Sequence, residues 1–135
     1  MQSVTRNELS EYRLKEAEST LQAAETLLKA GFLKDSINRS YYSVFYAVKS
    51  VLAVEGVDFK RHKDAIGYFN QHYVATEIFP RELGRMIGRC KQKREASDYD
   101  DFYIASKEEA EEQIQIARKT IDVISEWHAG RKQSS

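Results

Sequence analysis

The first residue of this chain that could do chemistry is a single arginine inside a tyrosine-rich run. The run covers residues 37–48 and reads INRSYYSVFYAV, with Arg39 as its only charge. At the 100° turn of an α-helix, Arg39 and Tyr46 fall on one side, flanked by Tyr42 and Ser43. A guanidinium can hold a phosphate or a carboxylate through two parallel hydrogen bonds. The pattern indicates either an anion-binding surface or a structural ion pair.

Two other segments could contribute to such a site. A basic loop of sequence KRHK covers residues 60–63 and contains His62 at the start of a predicted helix. There, His62 could cap or solvate the helix end, or it could transfer protons if the helix brings it to Arg39. Further along, the string REASDY at residues 94–99 offers Asp98 as a carboxylate that could pair with Arg39.

Composition and missing motifs exclude several classes of protein. Basic and acidic residues number 21 each, so the net charge of zero argues against a strongly basic nucleic-acid binder. Residues 81–94 are nevertheless locally basic, which indicates either solvated ion pairs or a patch that attracts phosphate. P-loop, GxGxxG and GxSxG motifs and Glu-x-x-His pairs are all missing, so we expect no metal and no cofactor. The single cysteine, Cys90, leaves no intrachain disulfide or CxxC zinc site and is predicted to be buried.

The elements that must position these residues are predicted to be helices. One proline, at Pro80, interrupts the chain, and apolar residues recur at spacings of three and four. Ser106 with Glu109 forms a capping box that opens the last helix. The sequence therefore predicts one all-α domain over residues 1–135, an up-and-down bundle of four long helices and one short helix. The predicted helices are Asn7–Ala30, Leu33–Glu55, the short His62–Val74, Pro80–Ala96, and a fifth from Ser106 to a polar tail at 129–135, with a loop at 97–105 before the fifth.

The second predicted helix is apolar along one stripe and is neither acidic nor lysine-rich on the other. Because its second face carries aromatic and small residues around Arg39, we expect both faces to meet protein or ligand.

No apolar run approaches the roughly 20 residues of a membrane span, and the amino terminus lacks the apolar core of a signal peptide. We therefore expect a cytoplasmic protein that does not contact membranes. The apolar stripe of the second predicted helix consists of Ile37, Tyr41, Val44, Phe45, Val48, Val51 and Leu52.

Taken together, these strings resemble the HEPN superfamily, specifically its small single-domain bacterial and archaeal members. The resemblance covers nearly the whole chain and is carried by the order and spacing of three strings. They are NRSYYSVFYA at residues 38–47, His62-Lys63 leading into Ile66 and Phe69, and Arg94-Glu95 with Asp98-Tyr99.

The resemblance implies a helical bundle that forms a homodimer. Many HEPN proteins are metal-independent ribonucleases, often the toxin of a pair with a minimal nucleotidyltransferase. Their signature is an arginine, usually with a polar neighbour, then four to six residues and a histidine, and two copies face each other across the dimer cleft. Arg39 and Ser40 match the first two positions, but Tyr46 stands where the histidine is expected.

The exchange of histidine for tyrosine changes the expected chemistry. A tyrosine with a pKa of about 10 is roughly one part in a thousand deprotonated at pH 7, so Tyr46 is a poor base. Without a base, RNA cleavage is expected to slow by roughly 10² to 10⁴. Arg39 could still stabilise developing charge, and Tyr46 or His62 could serve as its catalytic partner.

We therefore expect a toxin–antitoxin-type component that binds RNA or a nucleotide in a dimer cleft with a degenerate site. An active ribonuclease toxin and a purely structural oligomeric module remain the alternatives. Rapid cleavage would require Arg39 with Tyr46 or His62. The expected ligand-binding residues are Arg39, Ser40, Tyr42, Ser43, Lys60, His62 and Lys63.

Overall fold

Five α-helices and one π-helical turn build the chain in the computed structural model, which describes residues 5–133. Within that range there is no strand, so the predicted all-α bundle of four long helices and one short helix is confirmed. The helices span Arg6–Lys29 (α1), Leu33–Glu55 (α2), His62–Phe69 (α3), Arg81–Tyr99 (α4) and Lys107–Gln133 (α5), and the π-helical turn spans Asn70–Val74.

The helix ends agree with the sequence prediction except near the ends of α4 and α5. The predicted loop from Ser97 is wrong, because α4 continues to Tyr99. Ser97 faces inward at 4% exposure, and an Arg94–Asp98 ion pair of 2.9 Å links successive turns there. The last helix, α5, runs to Gln133, well into the segment predicted as a polar tail, and residues 134–135 lie outside the described part.

Side chains and a glycine fix the helix ends. The Thr5 hydroxyl accepts a hydrogen bond from the Glu8 N–H at 3.0 Å and caps α1. The predicted Ser106 cap is confirmed, since its hydroxyl accepts from the Glu109 N–H at 3.1 Å. Gly56 ends α2 with a φ of 78°, a left-handed conformation that glycine adopts without a steric penalty. Gly56 therefore sets where α2, the helix that carries the candidate site, ends.

The central helix is α2, which packs against α1, α4 and α5. Every residue of its predicted apolar stripe is buried, with no side chain more than 5% exposed. The cysteine of α4, Cys90, is also fully buried, and burial raises the pKa of its thiol to about 12. The stripe therefore forms much of the core, and the prediction that Cys90 is buried is confirmed.

The second face of α2 meets α1 through small residues. The Ser43 hydroxyl donates to the Ala17 carbonyl at 2.7 Å, and the Ser36 hydroxyl donates to the Ala24 carbonyl at 2.8 Å. Ala17 and Ala24 are themselves fully buried, which lets the two backbones approach closely. Much of the polar face of α2 is therefore an intramolecular contact, while Asn38, Arg39, Tyr42 and Tyr46 stay partly exposed.

The short helix α3 and the π-helical turn are tied to α2 through one carboxylate. Glu55, the last residue of α2, accepts hydrogen bonds from the hydroxyls of Tyr68, at 2.6 Å, and Tyr73. These two donors lower the pKa of Glu55 below its ordinary value.

Among residues 5–133, no helix combines the length and apolar character that a membrane crossing requires.

Candidate functional site

Four aromatic residues of α2 form the base of the candidate site. Tyr41 and Phe45 form one i,i+4 pair and Tyr42 and Tyr46 form the next, so the four rings lie beside one another on adjacent sides of the helix. Tyr41 and Phe45 are buried, whereas Tyr42 and Tyr46 are half-buried. The Tyr42 ring centre lies 5.4 Å from that of Tyr41 and 6.2 Å from that of Tyr46. The helix thus presents two partly exposed rings over a rigid apolar layer.

Arg39 lies half-buried at the edge of these rings. Its guanidinium carbon is 4.8 Å from the centre of the Tyr42 ring, a cation–π distance. Its Nε and Nη2 atoms donate to Asn38 Oδ1 at 3.1 and 2.8 Å. Within the described residues no carboxylate pairs with Arg39, so the alternative of an Arg39–Asp98 ion pair does not hold. The positive charge of Arg39 is held in place without being neutralised.

A second arginine reaches the same rings from α4. The guanidinium carbon of Arg94 lies 5.0 Å from the Tyr41 ring centre and 5.6 Å from that of Tyr42. Its Nη2 atom donates to the Tyr42 hydroxyl at 3.4 Å. Arg94 also donates to Asp98 through Nε at 2.9 Å. We call Arg39, Tyr42 and Arg94 the arginine cluster.

Asn38 connects the two arginines of the cluster. Its side-chain oxygen accepts from Arg39, and its Nδ2 atom donates to Asp98 Oδ2 at 3.1 Å. The same Asp98 oxygen accepts from Arg94. The hydrogen-bond chain from Arg39 to Arg94 therefore orients both guanidinium groups. It contains one carboxylate, that of Asp98, for two positively charged side chains.

His62 packs onto the aromatic base beside the cluster. Its ring centre lies 4.0 Å from that of Phe45 and 5.4 Å from that of Tyr42. Burial lowers the pKa of His62 below its usual value, and the positive charges of Arg94 and Lys49 lower it further. The imidazole is therefore neutral at pH 7. Tyr42 is a common neighbour of His62 and Arg39, so the fold does bring these predicted residues together.

The hydroxyl of Tyr41 decides which nitrogen of His62 carries the proton. The Tyr41 oxygen lies 3.2 Å from His62 Nδ1, and Tyr41 has no other hydrogen-bond partner among the described residues. A buried hydroxyl proton needs an acceptor, so we infer that Tyr41 donates to Nδ1. Burial raises the pKa of Tyr41 to about 12 and keeps this proton in place. His62 then carries its own proton on Nε2 and can donate a hydrogen bond to a ligand there, whereas its lone pair is occupied.

The remaining predicted ligand-binding residues lie away from the cluster. Ser40 and Ser43 are both fully buried, and the Ser43 hydroxyl is bonded to α1. Lys60 and Lys63 are exposed beside separate shallow grooves, Lys60 next to Lys49 and Lys63 along α3. The fold thus groups Arg39, Tyr42, Tyr46 and His62 and leaves the two serines and two lysines outside the group.

Sequence reasoning missed Arg94, Asn38 and Tyr41 as members of the site. Arg94 and Asp98 stand four residues apart, which indicates an ordinary helical ion pair. Tyr41 belongs to the apolar stripe, and its hydroxyl gives no sign of a partner in the sequence. The available signal was that Asn38 and Tyr41, like Arg94 and Asp98, lie within strings that match the family resemblance.

As arranged, the site is suited to holding an anion. Two oriented guanidinium groups, the Nε2 proton of His62 and the Tyr46 hydroxyl are hydrogen-bond donors of the kind that bind phosphate oxygens. In the described range, no three histidine, cysteine, aspartate or glutamate side chains are grouped to hold a metal ion. What the site lacks for proton transfer is a free base beside Arg39.

Comparison of the sequence with known proteins finds a matching family. The chain matches the HEPN domain family over residues 10–127, which is most of its length. It is 30% identical over 119 residues to a protein of Thermotoga maritima named "UPF0332 protein", with 88% of this chain and 90% of the relative covered.

Two relatives from Methanocaldococcus jannaschii carry names that describe a toxin. The chain is 33% identical over 98 residues to "Putative toxin MJ0142", covering 73% of this chain and 67% of that protein. It is 30% identical over 108 residues to "Putative toxin MJ0605", covering 80% of each. These similarities span the helices that carry the arginine cluster.

Proposed function

Because this chain belongs to the HEPN domain family, as its resemblance predicted, we propose that it is a toxin–antitoxin-type component that binds RNA through the arginine cluster. The names of its relatives support the toxin assignment at the level of the family. The observation that carries RNA binding is the state of Arg39, whose guanidinium is oriented by Asn38 and Tyr42 and has no carboxylate partner in the described chain. A phosphate diester supplies the missing negative charge.

Stacking and charge together favour a nucleic acid over a free anion. The half-buried rings of Tyr42 and Tyr46 offer faces on which a base can stack, a contact worth about 1–3 kcal/mol per base in single-strand binders. Arg94 lies 15% exposed beneath Tyr42 and adds positive potential without blocking the surface. An RNA strand can place a phosphate at Arg39 and stack the adjacent base on Tyr42 or Tyr46. It would then contact both the positive charge and the aromatic rings of the site.

The same geometry argues for slow turnover. Cleavage through the ribose 2′-hydroxyl needs a base, and in the inferred tautomer the lone pair of the His62 ring accepts the proton of Tyr41, 3.2 Å away. Tyr46, at the family's histidine position, is a phenol. We therefore propose recognition without efficient cleavage. As in the family resemblance, the site lies in a cleft between two copies and works with a nucleotidyltransferase partner.

The test is RNA binding and cleavage by purified protein in EDTA. Arg39→Ala is expected to weaken binding of a single-stranded oligoribonucleotide by about tenfold or more, because a charge-assisted contact is lost. The matched control is Arg118→Ala, which removes an arginine of α5 whose side chain is 55% exposed and which lies in neither proposed RNA contact. Equal affinities of wild type and Arg39→Ala would overturn the proposal.

An active ribonuclease is the second candidate, and the position and lowered pKa of His62 favour it. If the protein is an active ribonuclease, it should cleave RNA rapidly in EDTA and its expression should arrest growth. Arg39→Ala should then abolish both effects. Our proposal expects little cleavage by wild type and a gain of cleavage in Tyr46→His. Rapid wild-type cleavage would replace the proposal with this candidate. In the purely structural alternative, Arg39→Ala destabilises the fold markedly because a buried partner charge is left alone. The lack of a carboxylate partner for Arg39 among the described residues does not support this alternative.

A further inference from the structure

A polar groove lies between α4 and α5, on the side of α4 that does not face the arginine cluster. Arg94 turns toward α2, whereas its neighbour Lys93 turns toward α5 and pairs with Glu109 at 3.2 Å. The groove has a volume of about 340 Å³, within the range of small-ligand sites. It is lined by Arg89, Gln92, Lys93, Ala96, Glu112 and Gln113.

Gln113 is the unusual member of this lining. Its side chain is 1% exposed, yet its amide oxygen has no hydrogen-bond partner among the described residues. Buried amide groups in folded proteins are almost always hydrogen-bonded, because leaving one without a partner is costly. An amide also offers a donor and an acceptor side by side, the pattern that glutamine uses to read the edge of adenine.

Exposed arginines continue from the groove along α4. Arg81, Arg85 and Arg89 follow one another at spacings of four along α4, with side chains 73%, 68% and 51% exposed. Arg89 contacts a carboxylate, Glu82, only at 4.0 Å, and exposed pairs of this kind contribute little energy. These arginines therefore remain able to bind phosphates. They are the basic segment for which the sequence left two interpretations open.

We propose that this groove holds one nucleotide of single-stranded RNA, with the base on the Gln113 amide and the neighbouring phosphates on Arg89 and Lys93. Glu112 lines the groove and repels a phosphate from its interior, which leaves the base as the part that enters. The groove is then a second contact for the same RNA that binds at the arginine cluster. In this respect it rests on the proposed function and extends it across α4.

The experiment measures the affinity of labelled oligoadenylate and oligouridylate by fluorescence anisotropy. Gln113→Leu keeps the side-chain volume and removes the amide, and it is expected to weaken oligoadenylate binding roughly tenfold, the value of a good base-edge contact. Gln115→Leu makes the same change at an exposed position of the same helix and is expected to leave affinity unchanged. Thermal melting of both variants verifies that they fold.

A second pair of variants tests the phosphate contact without touching the core. Arg89→Ala is expected to weaken both oligonucleotides and to reduce the slope of log affinity against log salt by about one. Lys119→Ala, at an exposed position of α5, is expected to change neither.

The outcomes separate this inference from the proposed function. If Arg39→Ala weakens binding while Gln113→Leu and Arg89→Ala bind as wild type does, the groove is not a contact and only the arginine cluster binds RNA. If wild type binds neither oligonucleotide, both proposals fail. A loss with Gln113→Leu that is confined to oligoadenylate, with Gln115→Leu unaffected, supports the groove.

Discussion

At the scale of single residues, the chemistry of this site depends on one hydroxyl. Tyr41 is fully buried, and we infer that its proton points to His62 Nδ1, its one hydrogen-bond partner among the described residues. His62 is kept neutral by burial and by the charges of Arg94 and Lys49. Neutral histidine usually serves as a base, but here its acceptor nitrogen is already bonded. In this environment His62 therefore acts as a hydrogen-bond donor, through Nε2, rather than as a base.

Nuclear magnetic resonance of the imidazole tests this assignment. The pKa of His62 is expected below its usual 6.5, with the proton on Nε2 in the neutral form. Tyr41→Phe is expected to raise that pKa, because the neutral form loses a hydrogen bond to its lone pair. His72 in the π-helical turn provides an internal reference in the same spectra, since Tyr41→Phe leaves its surroundings unchanged. A proton found on Nδ1 in wild type would contradict the assignment.

At the scale of elements, the ends of α2 and α4 control the site. The last turn of α4 is retained beyond its predicted end and carries Asp98 to Asn38, which aligns Arg39. At the other end of α2, Gly56 turns the chain and Glu55 holds α3 with the π-helical turn. His62 is the first residue of α3, so its place beside Phe45 depends on this anchoring.

Two glycine substitutions are expected to have opposite signs. Gly56→Ala places a Cβ at a φ of 78° and should destabilise the protein by about 1–2 kcal/mol. The new Cβ would lie 2.6 Å from the Arg6 side chain, which is exposed and can move aside. Gly88→Ala adds a Cβ in the middle of α4 with nothing within 4 Å and should stabilise by about 0.5–1 kcal/mol. Urea denaturation measures both, and equal signs would contradict the expectation.

The Glu55 anchor predicts a pH dependence. Hydrogen bonds from two tyrosines lower the pKa of Glu55 in the folded state below its unfolded value of 4.5. The stabilisation is therefore fully present above the unfolded pKa and is lost as the pH falls through the folded pKa. Glu55→Gln should lower the urea midpoint at pH 7, and the difference from wild type should shrink in acid. Glu112→Gln, an exposed glutamate of α5, is the control, and a constant difference across pH would refute the mechanism.

At the scale of the whole molecule, charge is balanced in total but uneven in space. The net charge is zero, yet α4 carries six basic side chains between Arg81 and Arg94. Each of them lies within 4.0 Å of a carboxylate, and the pairs of Arg81, Arg85 and Arg89 are exposed on both sides. Association with RNA is therefore expected to depend on salt despite the neutral total, because such pairs exchange readily for phosphate.

Assembly is the other property of the whole molecule that can be tested directly. If two copies meet at the arginine cluster, light scattering should give twice the 15.6 kDa chain mass. Tyr46→Glu would bring two carboxylates together across a twofold axis and should shift the protein toward monomer. Gln115→Glu, on an exposed face of α5, should leave the mass unchanged. A wild-type monomer at all concentrations would exclude the cleft between copies.

The sequence by itself determined the helices, the core stripe of α2 and the family. These follow from local spacing, since three- and four-residue periodicity sets which face of a helix is buried. Arg39, Tyr42 and Tyr46 were found in this way, because they lie on one helix within two turns. The same reasoning assigned Ser43 to the ligand-binding residues, whereas its hydroxyl is bonded to α1.

Only the tertiary structure decided what stands opposite Arg39. Arg94 meets Tyr42 across 52 positions of sequence, and His62 meets Tyr41 across 21. Such contacts depend on how α3 and α4 are rotated and placed against α2, and no local pattern encodes that placement. The sequence therefore identified an arginine available for an anion, and the packing of three helices supplied its partner arginine and turned the nearby histidine into a donor.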